Sequence, residues 1–415
     1  MAALSAEDSA GDSAEDSAEL PARLRQARTA LLVSYLAQGT VFALLVSRIT
    51  AIQTQYGMSD GTLTVYLAAV PILAGVGSIS MEQVVKKTSP RAVLRIVQPL
   101  TCLTLVGVGA GHQQWQAAVA MAAFGLCVGG LDASQAMSGV ALQHRSGRSI
   151  MQGFYAAYSL GGIVGASLAW AEAHWHWGLL SLYGYSALVV VPVVIVASGK
   201  YAGPAELGKA VAEAAQAAAR SIPWKPLLPL CLAMTMAYIG DATVSNWSGK
   251  FIQDGLHSSS DQMTALPYDA YMVVMLLGRL LGDGRVQRWG SVRTVQLGTV
   301  VCAAGFLLVS LAPNPWTAVV AFGLVGLGIS VVVPQVFAAG GRLFPSASDA
   351  AVARLNIFNY VGFLVGSPLV GALAGGLNYR IAMLVPMVLV LLILLVARSF
   401  GARAAVPAEA DTVAV

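Results

Sequence analysis

Two carboxylic acids stand alone in long apolar stretches of this chain: Asp132, in Gly129-Gly-Leu-Asp132-Ala-Ser-Gln135, and Asp241, in Tyr238-Ile-Gly-Asp241-Ala-Thr-Val-Ser245. A charge so placed is costly unless it is paired, wetted or protonated, so such acids usually face a cavity. An acid there can take up and release one proton, and we assign that chemistry first to Asp132 and second to Asp241. The competing reading for Asp132 is a structural acid bonded to a neighbouring helix, and for Asp241 a surface or gating role at the outer interface. Gln135 and Gly139 follow Asp132 at i+3 and i+7, on the same helical face. Arg48, near the outer end of the first apolar stretch, is within reach of an acid such as Asp241. Its alternative is to snorkel to headgroups.

Amides and phenols form two further faces at helical spacing. Gln152, Tyr155 and Ser159 make one, and Asn356, Asn359 and Tyr360 the other. Such groups suit a hydroxylated or amphipathic solute, with rings for its apolar side. Interhelical hydrogen bonding is the alternative. Pro334-Gln335 and Gly366-Ser-Pro368 are candidate bends. No nucleophile with a base, no phosphate loop and no metal cluster is visible, so we expect no enzyme, no cofactor and no metal. His174 and His176 flank Trp175 in a short turn and read as an interfacial aromatic belt. The four cysteines all fall inside apolar segments, with no Cys-x-x-Cys pair.

These residues need long helices to hold them. The spans read as 30–52, 62–84, 92–111, 116–141, 150–171, 178–198, 226–247, 268–284, 292–312, 316–339, 351–375 and 381–398, each near the ~20 residues that cross a bilayer. The chain is 57% hydrophobic and only 11% charged. Its 24 Lys and Arg fall mostly in alternate connections, with Arg48, Lys250 and Arg380 near the others. By the positive-inside rule this places both termini in the cytosol of a multi-pass protein of the cell membrane. The net charge of +4 is scattered over short loops, which argues against nucleic acid as a partner.

Residues 1–28 hold a near-repeated Ser-Ala-Glu-Asp-Ser-Ala and read as a disordered acidic segment without the features of a secretory signal. The expected organisation is then an all-α, twelve-helix membrane protein in two pseudo-symmetric six-helix bundles. Those bundles are 29–198 and 226–398, joined by a cytoplasmic linker 199–225 and followed by a tail 399–415. Ala123-Phe-Gly-Leu126 recurs as Ala321-Phe-Gly-Leu324, and Val46-Ser47 as Val244-Ser245, both shifted by 198 residues. Gly161-x-x-x-Gly165 is echoed by Gly362-x-x-x-Gly366. Two like halves suit a carrier that rocks about a central site.

The loop Gly278-Arg-Leu-Leu-Gly-Asp283-Gly-Arg-Val-Gln-Arg288-Trp-Gly290-Ser-Val-Arg293 resembles the cytoplasmic loop motif of the major facilitator superfamily. Arg288, Gly290 and Arg293 match it, while Asp283 lies one turn before the motif's acid, whose place is taken by Gln287. The first-half loop, Glu82 to Arg95, keeps the basic residues without the turn glycine. Arg48-Ile-Thr-Ala-Ile52, Tyr56-Gly-Met-Ser-Asp60-Gly, the stretch around Asp132, and Met151-Gln-Gly-Phe-Tyr-Ala-Ala-Tyr158 resemble the branch that contains fucose permease. That branch carries an acid at the place of Asp132. The resemblance implies secondary-active, proton-coupled transport of a small organic solute by a monomer in the lipid bilayer, with import of a sugar-like compound favoured. Export of a metabolite or drug fits the same residues, although the Gly-Pro-x-x-Gly-Gly stretch typical of drug antiporters is missing after Gly165. A sensor or scaffold without transport is the alternative of another class.

Overall fold

A computed structural model describes residues 4–146, 150–203, 222–344 and 348–401. The side chains of residues 4–21, Gln152 and Asp283 lie outside the described part, as do 204–221 of the linker and 402–415 of the tail.

Among the described residues the chain is helical throughout. The long helices are α1 (Leu4–Val46), α2 (Asp60–Lys87), α3 (Pro90–Ala110), α4 (Gln114–Ser146), α5 (Met151–Trp175), α6 (Leu179–Ser198) and α7 (Leu228–Lys250). A continuous run Asp261–Leu311 follows, and Gly290 divides it into α8 (261–289) and α9 (291–311). Then come α10 (Pro315–Leu343), α11 (Ser348–Gly376) and α12 (Tyr379–Leu391), which gives twelve. Gly290 has φ 78° and ψ 161°, a conformation that a side chain disfavours, and here it turns the chain between two helices. Eleven segments are long and apolar enough to cross a membrane by length and composition. The one that falls short is α8, because Asp269 and Arg279 interrupt its apolar sequence.

Two boundaries depart from the sequence reading. The first span does not run unbroken to residue 52: α1 stops at Val46, and a short helix, Ile49–Tyr56, resumes after Arg48. Arg48 takes φ −117° and ψ 21°, and that break turns its side chain inward toward two acids. At the other end, α1 begins at Leu4, ahead of the expected span start at residue 30.

Packing is the same in both halves. α1 lies on α5, α2 on α4 and α3 on α6, and correspondingly α7 lies on α11, α8 on α10 and α9 on α12. Small residues permit the closest approaches. A Cβ on Gly161 would stand 2.0 Å from the Leu36 carbonyl oxygen, and one on Gly165 2.3 Å from that of Thr40. Across the pseudo-symmetry, a Cβ on Gly362 would meet the Tyr238 side chain at 2.5 Å. The halves touch each other along α2 with α11 and α5 with α8. Pro334 and Pro368 both lie within unbroken helices.

Candidate functional site

Between the halves lies a cavity offering about 180 Å³ to the centres of water-sized molecules. Its wall is drawn from α1, α2, α4 and α5 on one side and α7, α8, α10 and α11 on the other, while α3, α6, α9 and α12 contribute nothing to it. Asp132, Gln135, Tyr155, Asp241, Asn356, Asn359 and Tyr360 all line it, so most of the residues singled out from sequence face one space.

Asp132 is held from both halves. It accepts hydrogen bonds from Gln38 of α1 on one carboxylate oxygen and from the Tyr360 hydroxyl of α11, at 2.6 Å, on the other. Asp241, by contrast, is held within its own half by the Tyr271 hydroxyl of α8. The possible partnership of Arg48 with Asp241 is not formed, nor does Arg48 snorkel outward. Its side chain is only 2% exposed, with Nε 2.6 Å from Glu172 and Nη2 3.2 Å from Asp261. Asp241 lines the central cavity.

The polar faces differ in how they are engaged. Asn359 donates to Asn356 at 3.2 Å, and its own Oδ1 has no partner. Gln135 is fully buried. Its Nε2 donates to Ser34 Oγ at 2.8 Å, which continues to Gln98 and from there to the Tyr201 hydroxyl. Its Oε1 is left unpartnered. Tyr155 stacks against Phe337 and edge-on to Tyr35. Arg288, Gly290 and Arg293 are exposed at the end of α8 and the start of α9, away from the cavity.

At the face opposite the chain termini, two charge clusters bridge the halves. Arg48 of the first half meets Asp261 of the second, and Lys250 of the second meets Asp60 of the first at 3.2 Å. The two pairs are related by the pseudo-symmetry: Arg48 lies just past the end of α1 and Lys250 ends α7, and Asp60 and Asp261 begin α2 and α8. Ser59 and Ser260 cap those two helices in the same way. Asp254 and the Tyr379 hydroxyl complete the Lys250 cluster. The His174 imidazole stacks on Trp170, and Trp175 on Trp177, which makes this turn an aromatic patch.

Sequence reasoning missed Gln38, Glu172, Tyr271 and Arg279. Arg279 had a signal, a lone cation in Met275-Leu-Leu-Gly-Arg279-Leu-Leu, but it was absorbed into the loop motif that follows it. Gln38 and Tyr271 gave none, because their role exists only once the helices meet.

Comparison with known proteins points to one family. Residues 230–412 match the family description Major Facilitator Superfamily. An uncharacterized MFS-type transporter of Yersinia pestis is 27% identical over 329 residues, covering 78% of this chain and 82% of that one. The second part of the chain thus matches the major facilitator superfamily, and the chain as a whole is similar to a transporter of that type. Among solved structures of similar fold, the xylose transporter XylE from E. coli, in a partially occluded inward-open conformation, superposes with a TM-score of 0.70. Its identity is 14%, over 92% of this chain and 98% of that one. The transporter FucP, in an outward conformation, gives 0.62 at 14% identity, over 90% and 98% respectively. Members of that superfamily carry small-molecule solutes across membranes and are not enzymes, and this chain has the long apolar helices of a multi-pass membrane protein.

Proposed function

We propose that this chain is a secondary-active transporter that moves a small, hydroxylated, sugar-like solute together with a proton, and that Asp132 carries the proton. The observation that supports this most is the position of the Asp132 carboxylate, in the wall of the central cavity and bonded to both halves at once. An ionised carboxylate accepts charge-assisted hydrogen bonds, which are about twice as strong as neutral ones. Adding a proton removes that extra strength from the Gln38 and Tyr360 contacts. The charge on one side chain thereby changes how firmly α11 is tied to α1 and α4, and a carrier that rocks between two states needs such a bias. Asp241 is bonded only inside the second half, so its titration lacks that lever.

The solute would sit among Tyr155, Asn356, Asn359 and Gln135. Ring faces there suit the apolar side of a sugar-like ring, and amides suit its hydroxyls. With the termini in the cytosol, the charge clusters close the external side in this arrangement. The test is uptake of a labelled sugar panel into proteoliposomes with an alkaline lumen. Accumulation of one member that follows the imposed pH gradient supports the reading, and movement of sugars that ignores the gradient contradicts it.

A further inference from the structure

Arg279 brings a permanent charge to the cavity wall that the proton cycle does not use. Its Nη1 donates to the Tyr155 carbonyl oxygen at 3.3 Å and to Ser159 Oγ, both on α5. Its Nε is buried without a hydrogen-bond partner. Nη2 makes no hydrogen bond to the described residues, and none of their carboxylates is paired with the guanidinium. The two cavity acids accept their hydrogen bonds elsewhere, Asp132 from Gln38 and Tyr360 and Asp241 from Tyr271, although Asp241 is near enough to Arg279 to feel its charge.

A guanidinium cannot shed its proton in a protein, and within a membrane it calls for a counter-charge or water. Here Nη1 anchors the group to α5, which leaves Nε and Nη2 without a partner among the described residues. Two parallel N–H groups on one edge form the fork that receives both oxygens of a carboxylate. Asn359 Oδ1, also unpartnered, stands in the same wall as an acceptor for a hydroxyl.

We infer that the solute is a hydroxylated organic acid, of the sugar-acid type, whose carboxylate docks on Arg279. This deepens the reading of the cavity as the solute site and rests on it. The charges then balance: a solute anion carrying −1 travels with one proton on Asp132, and the loaded carrier moves no net charge. An inside-negative membrane potential, which opposes entry of a bare anion, then no longer opposes the cycle.

The experiment compares D-gluconate and D-glucuronate with sorbitol and D-glucose, matched in chain length. The full chain is read by thermal stabilisation in detergent and by counterflow in proteoliposomes. The acids should be preferred by about tenfold or more, the size of effect a charged hydrogen-bonded contact supplies. Arg279→Gln should erase that preference and Arg279→Lys restore part of it, with the unliganded melting temperature reporting whether each variant is folded. A merely structural arginine would change melting without changing the ratio of acid to neutral binding. Equal or better binding of the neutral probes, binding of none of the four, or an acid preference retained in Arg279→Gln overturns the inference. Acid exchange that ignores a pH gradient contradicts proton coupling and leaves the docking intact. Gradient-driven movement of D-glucose, unchanged in Arg279→Gln, contradicts the docking and leaves the coupling intact.

Discussion

At the scale of single residues, the Tyr360 hydroxyl carries the link between Asp132 and the second half, at 2.6 Å. A hydrogen bond to a charged group contributes about 1.5–3 kcal/mol, so Tyr360→Phe should lower gradient-driven uptake by about tenfold or more while leaving the fold intact. Uptake assays in vesicles alongside melting curves would check this, and an unchanged uptake rate would remove Tyr360 from the mechanism. Asp132 was legible in the sequence because one acid in an apolar helix has few explanations. Its partners were not, since amides and phenols are common in helices and only tertiary packing brings Gln38 and Tyr360 to it. Arg48 shows the converse: its charge was visible, but its acids, Glu172 and Asp261, come from α5 and α8 and could not be chosen from spacing.

At the scale of helices, close approach rests on glycine at named places. Gly161→Ala would press a methyl group into the Leu36 carbonyl, whereas a Cβ on Gly153 of the same helix meets nothing within 4 Å. Overpacking costs about 1–3 kcal/mol, so Gly161→Ala should lower the melting temperature of the purified protein and Gly153→Ala should not. Equal melting of the two variants would contradict the α1–α5 contact. The spans themselves could be read from apolar length, and the Gly-x-x-x-Gly pairs from their recurrence. Helix ends were less legible, because caps and breaks depend on contacts across the molecule. The stop at Val46 is one such case, set by the inward turn of Arg48. Gly290 was an exception: its place in the loop motif announced the turn that its positive φ makes.

At the scale of the whole molecule, two like halves enclose one cavity, and cross-half ion pairs join them at one face. Lys250→Gln removes the charge that meets Asp60 and Asp254. It should speed labelling of a cysteine at Val46, a cavity-lining position near that face, by an impermeant thiol reagent added from outside. Unchanged labelling would mean that the pairs do not hold the face shut. The distribution of Lys and Arg predicts that both termini lie in the cytosol. A cysteine placed after Ala10 or Val406 should resist such a reagent in intact cells, and one near Asn314 should react. Labelling of both termini from outside would reverse the topology. Twofold repetition was legible from sequence matches shifted by 198 residues, while the cross-pairing of Arg48 with Asp261 and Lys250 with Asp60 needed the halves assembled. The proposed rocking cycle turns on a proton carried by Asp132. It is tested most directly by Asp132→Asn, which keeps shape and hydrogen-bonding capacity but removes the titration. In proteoliposomes this variant should lose accumulation driven by a pH gradient and keep solute counterflow, while Asp132→Glu retains some coupled transport with a shifted pH optimum. If Asp132→Asn still accumulates solute when a proton gradient is imposed, Asp132 is not the coupling site.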